Sequence, residues 1–252
     1  MKKILLVIAN YKDDRQRLFD EKVSPINKRY CDKHDFEYLV SNGIDTGREN
    51  PIWQKFFYVK KLLSEGSLVD GDKITVLDAD MVFVKDEESF ETDKSFSYAI
   101  DNGNTHCMGN YTITINEWSK RMIDLMLSEE RYQAYKDREL WQRWAEQASW
   151  YYLCAVLEHS WVPFLNLPNY GWHSHKDKDY IEGDVIFSIE ELEEHIEIRP
   201  PEWNTTLLEE ESSDYIGHML QKYNIISTKK ENTIIRHFAG GQPWGEEYFS
   251  EE

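Results

Sequence analysis

The sequence predicts an α/β protein with a mostly parallel central sheet flanked by helices and followed by a C-terminal elaboration. Two continuous apolar runs, KILLVIA (3–9) and KITVL (73–77), have the composition of strands buried on both faces. Strand-like and helix-like segments alternate over the first 77 residues, which implies parallel strands joined by right-handed crossovers. No internal repeat, low-complexity stretch or linker interrupts the 252 residues, so we expect one domain.

Two prolines help to place the helices of the first half. Pro25 interrupts or restarts one helical segment, and Pro51 precedes the helical pattern IWQKFFYVKKLL, where proline suits the first turn. The turn sequence VDGD then leads into a buried strand. The elements expected before residue 116 are, in chain order, a strand at 3–9, helical residues at 13–34, a strand at 36–40, a helix at 52–63, and strands at 73–77, 96–100 and 111–115.

The second half is expected to be more helical. Apolar residues recur at helical spacing after residue 116, with Trp118, Met122 and Met126 on one face. The stretch PNYGWHSHKDKD is typical of a loop. The remaining expected elements are a helix at 139–157, the loop at 168–179, a short acidic helix at 189–195, a helix at 213–223 and a strand at 232–238.

The net charge of −18 limits the possible partners. Nucleic acids and anionic membranes are recognised through basic surfaces, and the sequence contains no Lys/Arg stripe of that kind. An anionic ligand would therefore need a local device such as a metal ion or a single lysine. Aromatic residues make up 14% of the chain, so some could stack on the apolar faces of sugar rings while most fill the core.

The sequence carries no indication of export or membrane insertion. No apolar run approaches the roughly 18 residues of a transmembrane helix. The start MKKILLVIAN is followed by NYKDDRQR rather than by a small-residue cleavage site. Cys31, Cys107 and Cys154 form neither a zinc-binding spacing nor a disulfide framework. We therefore expect a soluble cytoplasmic protein without a membrane anchor, and the sequence leaves its oligomeric state open.

Asp78 and Asp80 lie inside the apolar segment ITVLDADMVF (74–83). Carboxylates two residues apart share one face of a strand, and ligands of open α/β sheets bind at the carboxyl ends of the strands. Such a pair repels unless a cation lies between its members, and Mn²⁺ or Mg²⁺ suits oxygen ligands. The pattern favours a divalent-metal site over the alternative, in which one Asp caps the turn and the other is solvated.

His237 ends a predicted strand and precedes Gly240 and Gly241. Its imidazole could complete a metal site with two carboxylates, although a lone His is usually structural. The two glycines would permit close approach of the backbone to a ligand.

The other candidate residues also have a structural explanation. Lys55, Glu146 and Gln147 lie on predicted helices, where a solvated polar face accounts for them equally well. Asn10 and Tyr11 follow the first strand, where a nucleotide base often docks in folds of this type. No dinucleotide-binding glycine fingerprint, P-loop or nucleophile elbow is present.

Several short motifs, taken in order, resemble a known family. The ordered set covers most of the chain and looks like a glycosyltransferase of the GT-A fold, nearest the retaining family 34 of α-galactosyl-, α-mannosyl- and xyloglucan xylosyltransferases. The motifs are W-x-K at 53–55, D-A-D at 78–80, N-E-W-S at 116–119, E-Q-A-S-W-Y-Y-L at 146–153 and H-F-A-G-G at 237–241.

The resemblance implies a Rossmann-like GT-A sheet in a single domain over residues 1–252. Residues 1–100 would form the half that binds the nucleotide-sugar and the metal. Residues 101–252 would form the acceptor-side half, together with the last metal ligand and the C-terminal tail.

The resemblance also implies roles for individual residues. Asp78, Asp80 and His237 match the ligands of a divalent metal, Mn²⁺ or Mg²⁺. Lys55 matches a lysine near the nucleotide-sugar, and Gly109 matches a glycine on the strand that lines its pocket. The pair Glu146-Gln147, which matches an Asp-Gln pair beside the transferred sugar, would be catalytic. With the two residues after the first strand, the expected donor-binding set is Asn10, Tyr11, Lys55, Asp78, Gly109, Gly240 and Gly241.

The chain departs from the family pattern in three respects. The family usually has Cys-Lys after H-F-x-G, where this chain has Gly241-Gln242, so that lysine's phosphate contact is missing and Lys55 gains importance. Cys107-Met108-Gly109 stands where the family has Asn-Thr-Gly. Family members are typically anchored in the Golgi, whereas this sequence shows no anchor, which suggests a soluble bacterial or viral form.

The implied reaction moves a hexose or pentose, with retention, from a nucleoside-diphosphate sugar to a saccharide acceptor, with UDP favoured over GDP. The metal would neutralise the diphosphate, which explains how so acidic a chain could hold an anion. Retention needs either attack by the acceptor hydroxyl from the leaving-group face or a covalent glycosyl-enzyme on Glu146. Candidates on the acceptor side, or for covering the donor, are Tyr170, Trp172, His173, His175 and Trp244.

Two other functions are compatible with the sequence. A metal-dependent nucleotidyltransferase shares this kind of sheet and acidic pair, but it usually has a Gly-rich basic loop after the first strand. This chain has ANYKDDRQR there, without glycine. A non-catalytic module that binds a nucleotide-sugar or a saccharide would keep the same residues.

Overall fold

The computed structural model describes residues 1–102, 106–138, 141–142, 145–154, 186–206, 208 and 228–238. The strands in this part of the chain are β1 (Lys3–Ile8), β2 (Glu37–Ser41), β3 (Lys73–Asp78), β4 (Met81–Phe83), β5 (Phe96–Ile100), β6 (His106–Thr114), β7 (Ile196–Arg199) and β8 (Ile235–His237). The helices are α1 (Asp14–Leu18), α2 (Ser24–His34), α3 (Gln54–Ser64), α4 (Glu117–Met126), α5 (Glu129–Tyr135), α6 (Glu146–Cys154) and α7 (Ile189–His195).

A six-stranded sheet in the order β2-β1-β3-β6-β5-β7 forms the centre of the described structure. β1 pairs in parallel with β2 and β3, and β5 pairs in parallel with β7. β6 is antiparallel to both β3 and β5, so the other five strands of this sheet point the same way. The prediction of an α/β protein with a mostly parallel sheet is therefore confirmed. β4 and β8 form a separate antiparallel pair.

The central sheet is buried on both faces. In β1, Ile4 and Leu6 belong to one core cluster, with residues of α3, α4 and α6. Leu5 and Val7 belong to a second cluster, with residues of α2, β4 and β8. Each of these side chains contributes about 1.5–3 kcal/mol by leaving water. Burial on both faces explains why the strand is a continuous apolar run rather than an alternating one.

Local capping explains where the helices begin. Asn116 and Ser119 form a reciprocal capping box, in which each side chain accepts from the other residue's backbone N–H, and α4 starts directly after Asn116. A π-helical turn (Phe19–Val23) joins α1 to α2. Pro25 lies in the first turn of α2, where its missing N–H leaves no intrahelical bond unmade.

The sequence patterns do not predict β4, α5 or β7. The strand that they predict at 111–115 begins five residues after the observed start of β6. β4 and β7 have only three and four residues, which is too short for a periodic signal. The first residues of β6, HCMGN, lack the β-branched residues that mark its second half. Of the other expected elements, the loop at 168–179 and the helix at 213–223 lie outside the described residues. None of the described helices combines the length and apolar character that crossing a membrane requires.

Candidate functional site

The two aspartates lie where β3 leaves the central sheet. β3 ends at Asp78, whereas Asp80 lies in the two-residue turn that leads into β4. The expectation that both aspartates share one face of a single strand is therefore wrong, because the chain turns at Ala79. Ala79 and Met81 are buried on either side of Asp80. The turn still directs both carboxylates to one place at the carboxyl edge of the parallel strands.

His237 reaches the aspartates through the pairing of β8 with β4. Met81 lies opposite His237 in this antiparallel pair, and the backbone N–H of Phe238 donates to the carbonyl of Asp80 at 2.9 Å. One ligand atom from each of Asp78, Asp80 and His237 lies within 4.8 Å of the other two. Residues separated by more than 150 positions thus form one cluster, the acidic trio.

The shifted pKa values of Asp80 and His237 favour the binding of a cation by the acidic trio. Burial, reinforced by the neighbouring Asp78, raises the pKa of Asp80 to about 7, although a quarter of its side chain stays exposed. Burial lowers the pKa of His237 to about 4, so its imidazole is neutral at pH 7 and can offer a lone pair. A site that disfavours both a second negative charge and a protonated histidine is relieved by a bound divalent ion.

The chemistry and spacing of the acidic trio also fit such an ion. Asp80 Oδ1 lies 3.6 Å from His237 Nε2, which is too long for a hydrogen bond. Adjacent ligands of an octahedral Mg²⁺ at about 2.1 Å are about 3 Å apart, so a small movement would bring both atoms onto one ion. Two carboxylates and one imidazole suit Mn²⁺ or Mg²⁺ that completes its coordination with water or phosphate.

Lys55 is fully engaged within the protein. Its ammonium donates to Asp78 Oδ1 at 2.9 Å and to the carbonyl of Met108 at 2.7 Å, and it forms an ion pair with Glu146 Oε1 at 2.9 Å. Burial alone would lower the pKa of Lys55, but Asp78 and Glu146 outweigh it and raise the pKa well above its usual value. Since an ammonium has three protons, these three acceptors use all of them.

Glu146 is buried at the start of α6, with 2% of its surface exposed. Burial raises the pKa of its carboxyl, and Lys55 opposes that shift. Oε1 is held by Lys55, while buried Oε2 has no hydrogen-bond partner among the described residues. Ala145, just before it, has a positive φ of 46°, a strained conformation for a residue with a Cβ. A buried oxygen without a partner is costly, so Oε2 is the atom of this carboxyl that is free to accept a further hydrogen bond.

Gln147 is tied into the wall of the site. Its Oε1 accepts from the backbone N–H of Met108 at 3.1 Å, and its Nε2 donates to the hydroxyl of Tyr151 at 2.8 Å. The Tyr151 hydroxyl in turn donates to the carbonyl of His106. The side-chain amide of Gln147 therefore links α6 to the backbone of β6.

Gly109 leaves no room for a side chain. A Cβ at this position of β6 would lie 2.5 Å from Met81 Cε and 2.9 Å from Asp78 Oδ2. Any larger residue would push against the carboxylate that Lys55 already holds. Glycine therefore allows β6 to pass close behind the acidic trio.

Asn10 and Tyr11 follow β1 at the same edge of the sheet. Tyr11 is partly buried, and burial followed by the charges of Asp80 and Asp78 raises the pKa of its hydroxyl. The guanidinium of Arg15 lies 4.8 Å from the centre of its ring. The predicted positions Gly240, Gly241, Tyr170, Trp172, His173, His175 and Trp244 lie outside the described residues.

Comparison with solved structures identifies the fold. No protein-family model matches the sequence, and a search of curated proteins finds no match. A glycosyltransferase involved in the glycosylation of the major capsid of PBCV-1 aligns over 95% of this chain and 94% of its own, with a TM-score of 0.50 and 8% identity. The glycosyltransferase GlyE of Streptococcus pneumoniae TIGR4 aligns over all of this chain and 62% of its own, with a TM-score of 0.51 and 12% identity.

This chain has a GT-A fold. At identities this low, the structural alignments show a shared fold alone. They confirm the GT-A fold that the ordered motifs predict. Membership of family 34 stays a prediction. The acidic trio lies at the carboxyl edge of the GT-A sheet, the edge at which open α/β sheets bind ligands.

The structure adds a residue that the sequence did not indicate. Asn204 is fully buried next to the GT-A sheet, and its Oδ1 lies 2.8 Å from His237 Nδ1. It follows a short 3-10 turn (Pro201–Trp203), and its only sequence pattern, the sequon Asn204-Thr205-Thr206, gives no sign of a contact with His237. Only the pairing of its segment with β8 could have revealed the contact, and that pairing leaves no sequence pattern.

Proposed function

We propose that this protein is a metal-dependent retaining glycosyltransferase that uses a nucleoside-diphosphate sugar. The observation that carries the proposal is the acidic trio beside a buried Lys55–Glu146 ion pair, at the ligand-binding edge of a GT-A fold. The two structural neighbours are named as glycosyltransferases, which supports the same class of reaction.

Asp78, Asp80 and His237 would hold Mn²⁺ or Mg²⁺. Bound there, the ion would supply positive charge to the diphosphate of the donor as the leaving group departs. Lys55 holds Asp78 Oδ1 and so fixes the orientation of the carboxylate that would bind the ion. The chain thereby holds an anionic donor despite its net charge of −18.

Lys55 would act by holding the site together rather than by contacting phosphate, because its three protons are already donated. It fixes one oxygen of Asp78 and opposes the rise that burial causes in the pKa of Glu146. Glu146 Oε2 would then face the transferred sugar, where a carboxylate stabilises the positive charge of an oxocarbenium-like state.

For retention we propose attack from the leaving-group face. The acceptor hydroxyl oxygen forms its bond to the anomeric carbon while the bond from that carbon to the phosphate oxygen breaks. The hydroxyl proton passes to the departing phosphate. The tight pairing of Glu146 with Lys55 favours this route over a covalent glycosyl-enzyme, because an ion-paired carboxylate is a weaker nucleophile.

The surroundings of the metal candidate also bear on the substrates. Tyr11 lies close enough to Asp80 and Asp78 for their charges to add to the rise that burial causes in its pKa, which supports a position for the base of the donor next to the end of β1. We propose a UDP-sugar carrying a hexose or pentose as donor, and a saccharide as acceptor.

A panel of nucleotide-sugars with and without Mn²⁺ tests this function. At 100 times its dissociation constant, the correct donor should add about 2.7 kcal/mol of stability, seen as a rise in Tm in a thermal-shift assay. UDP-sugars should act only in the presence of Mn²⁺, and GDP-sugars serve as the comparison. The absence of any Mn²⁺-dependent shift across both series would contradict the proposal. Release of pyrophosphate, rather than of a nucleoside diphosphate, would assign a nucleotidyltransferase instead.

Metal affinity should depend on pH in a defined direction. The carboxyl of Asp80, with a pKa near 7, holds a proton below that pH, and a cation must displace it. The dissociation constant for Mn²⁺ should therefore rise about tenfold for each pH unit below 7 and level off above it. His237, with a pKa of about 4, stays neutral throughout this range and adds no second step. Mn²⁺ titrations followed by electron paramagnetic resonance between pH 5 and 8 measure the slope, and a flat profile would contradict the assignment.

A further inference from the structure

Asn204 contacts the imidazole nitrogen of His237 that faces away from the aspartates. Its Oδ1 lies 2.8 Å from Nδ1, while Nε2 faces Asp80 Oδ1. Asn204 is fully buried, and besides His237 its side chain faces the thiol of Cys107, whose pKa it helps to lower against the rise caused by burial. Asn204 Oδ1 thus contacts the Nδ1 edge of the ring, and the Nε2 edge faces Asp80.

The backbone holds Asn204 in register with His237. The N–H of Thr205 donates to the carbonyl of Ile235 at 2.9 Å, and the N–H of His237 donates to the carbonyl of Thr205 at 2.9 Å. The N–H of Asn204 itself donates to the carbonyl of Pro201 at 2.8 Å. The first two bonds fix Thr205 against β8, and the third fixes Asn204 to the turn before it, so the side chain approaches the ring in a defined geometry.

This geometry selects one form of the imidazole. A neutral imidazole carries its proton on one nitrogen and a lone pair on the other. A carbonyl oxygen can only accept, so Asn204 Oδ1 holds the proton on Nδ1 and leaves the lone pair of Nε2 directed at the acidic trio. Residues that hydrogen-bond the other ring nitrogen of a metal-binding histidine contribute about 10–100-fold to metal affinity.

We propose that Asn204 is a positioning residue that keeps His237 in the Nδ1–H form and so presents Nε2 to a divalent cation. The proposal rests on the proposed metal site, although the state of the ring can be tested without any metal. Asn204 touches neither substrate nor cation and acts only through His237.

Two measurements test this role. In metal-free protein labelled with ¹⁵N-histidine, the ring shifts of His237, assigned with His237→Gln, should report the Nδ1–H form. Asn204→Leu should lose that form and raise the dissociation constant for Mn²⁺ about 10–100-fold. Asn204→Asp keeps an acceptor and should bind Mn²⁺ at least as tightly as the wild type. A ring in the Nε2–H form in the wild type, or unchanged Mn²⁺ affinity in Asn204→Leu, would overturn the proposal.

Controls separate this role from loss of stability and from failure of the metal site. Asn116→Ala removes the cap of α4, which should cost about 1 kcal/mol of stability away from His237 and leave Mn²⁺ affinity unchanged. Asp80→Asn reports on the metal site itself. If the wild type binds no Mn²⁺, the proposed function fails while the ¹⁵N shifts still decide the role of Asn204. If Asn204→Leu does not fold, the wild-type shifts and Asn204→Asp give the decision.

Discussion

Asp80→Asn should abolish metal-dependent transfer while leaving the protein folded. The change keeps the shape of the side chain but removes the charge that faces His237 at the turn between β3 and β4. We expect kcat/KM to fall by about 10³-fold, equivalent to about 4 kcal/mol of transition-state stabilisation. Mn²⁺ binding and turnover of the donor identified in the nucleotide panel measure the effect. Because the neutral amide also relieves repulsion from Asp78, metal-free Asp80→Asn should be at least as stable as the wild type.

Asp86→Asn is the matched control for that variant. Asp86 belongs to the loop after β4 and pairs with Lys33 on the surface, so it changes the net charge by the same amount without facing the acidic trio. We expect wild-type Mn²⁺ affinity and a stability change below about 1 kcal/mol. Equal losses of Mn²⁺ affinity in both variants would mean that net charge, rather than coordination by Asp80, controls binding.

Lys55→Met should destabilise the protein by about 3–5 kcal/mol, the usual cost of leaving a buried charge without its partner. The ammonium is buried between Asp78 and Glu146, and its loss would leave Glu146 as an uncompensated carboxylate at 2% exposure. Urea denaturation with an unchanged m-value measures the loss. Lys60→Met, on the same helix, removes a surface pair with Asp124 and should cost less than about 1 kcal/mol.

The double variant Lys55→Met/Glu146→Gln isolates the buried pair. Removing both charges should recover at least about 2 kcal/mol relative to Lys55→Met, because no buried carboxylate is then left alone. The single variant Glu146→Gln also separates the two routes to retention. Under the proposed attack from the leaving-group face, it should keep measurable turnover, whereas a covalent route would lose it entirely. Additive effects of the two substitutions on stability would show that Lys55 and Glu146 do not interact.

Much of the fold could be predicted because it follows from burial. The runs at 3–9 and 73–77 carry apolar side chains on both faces of the strand because both faces of the sheet are covered. The helix after Asn116 begins with a cap that is visible in the sequence. β4 and β7 could not be predicted, because strands this short are specified by their pairing partners. Those partners, β8 and β5, are distant in sequence.

The candidate site divides in the same way. Asp78, Asp80 and His237 could be proposed from residue type and spacing, and the structure brings them together. The spacing argument itself failed for Asp80, which owes its position to a turn rather than to strand alternation. The ion pairs of Lys55 and the contact of Asn204 with His237 could not be foreseen, because each joins groups whose approach depends on packing. A lysine on a helix gives no sign of whether it faces water or two carboxylates.

The pairing of β4 with β8 closes a loop of roughly 150 residues with only three residues on each side. A cation bound by both Asp80 and His237 would stabilise the pairing of β4 with β8, since it binds only while the two strands are together. The concentration of the cation would then set how often β8 separates from β4. Each tenfold increase above the dissociation constant would add about 1.4 kcal/mol to the free energy of that separation. Metal supply would therefore control the lifetime of this end of the protein in the presence of proteases, independently of any sugar transferred.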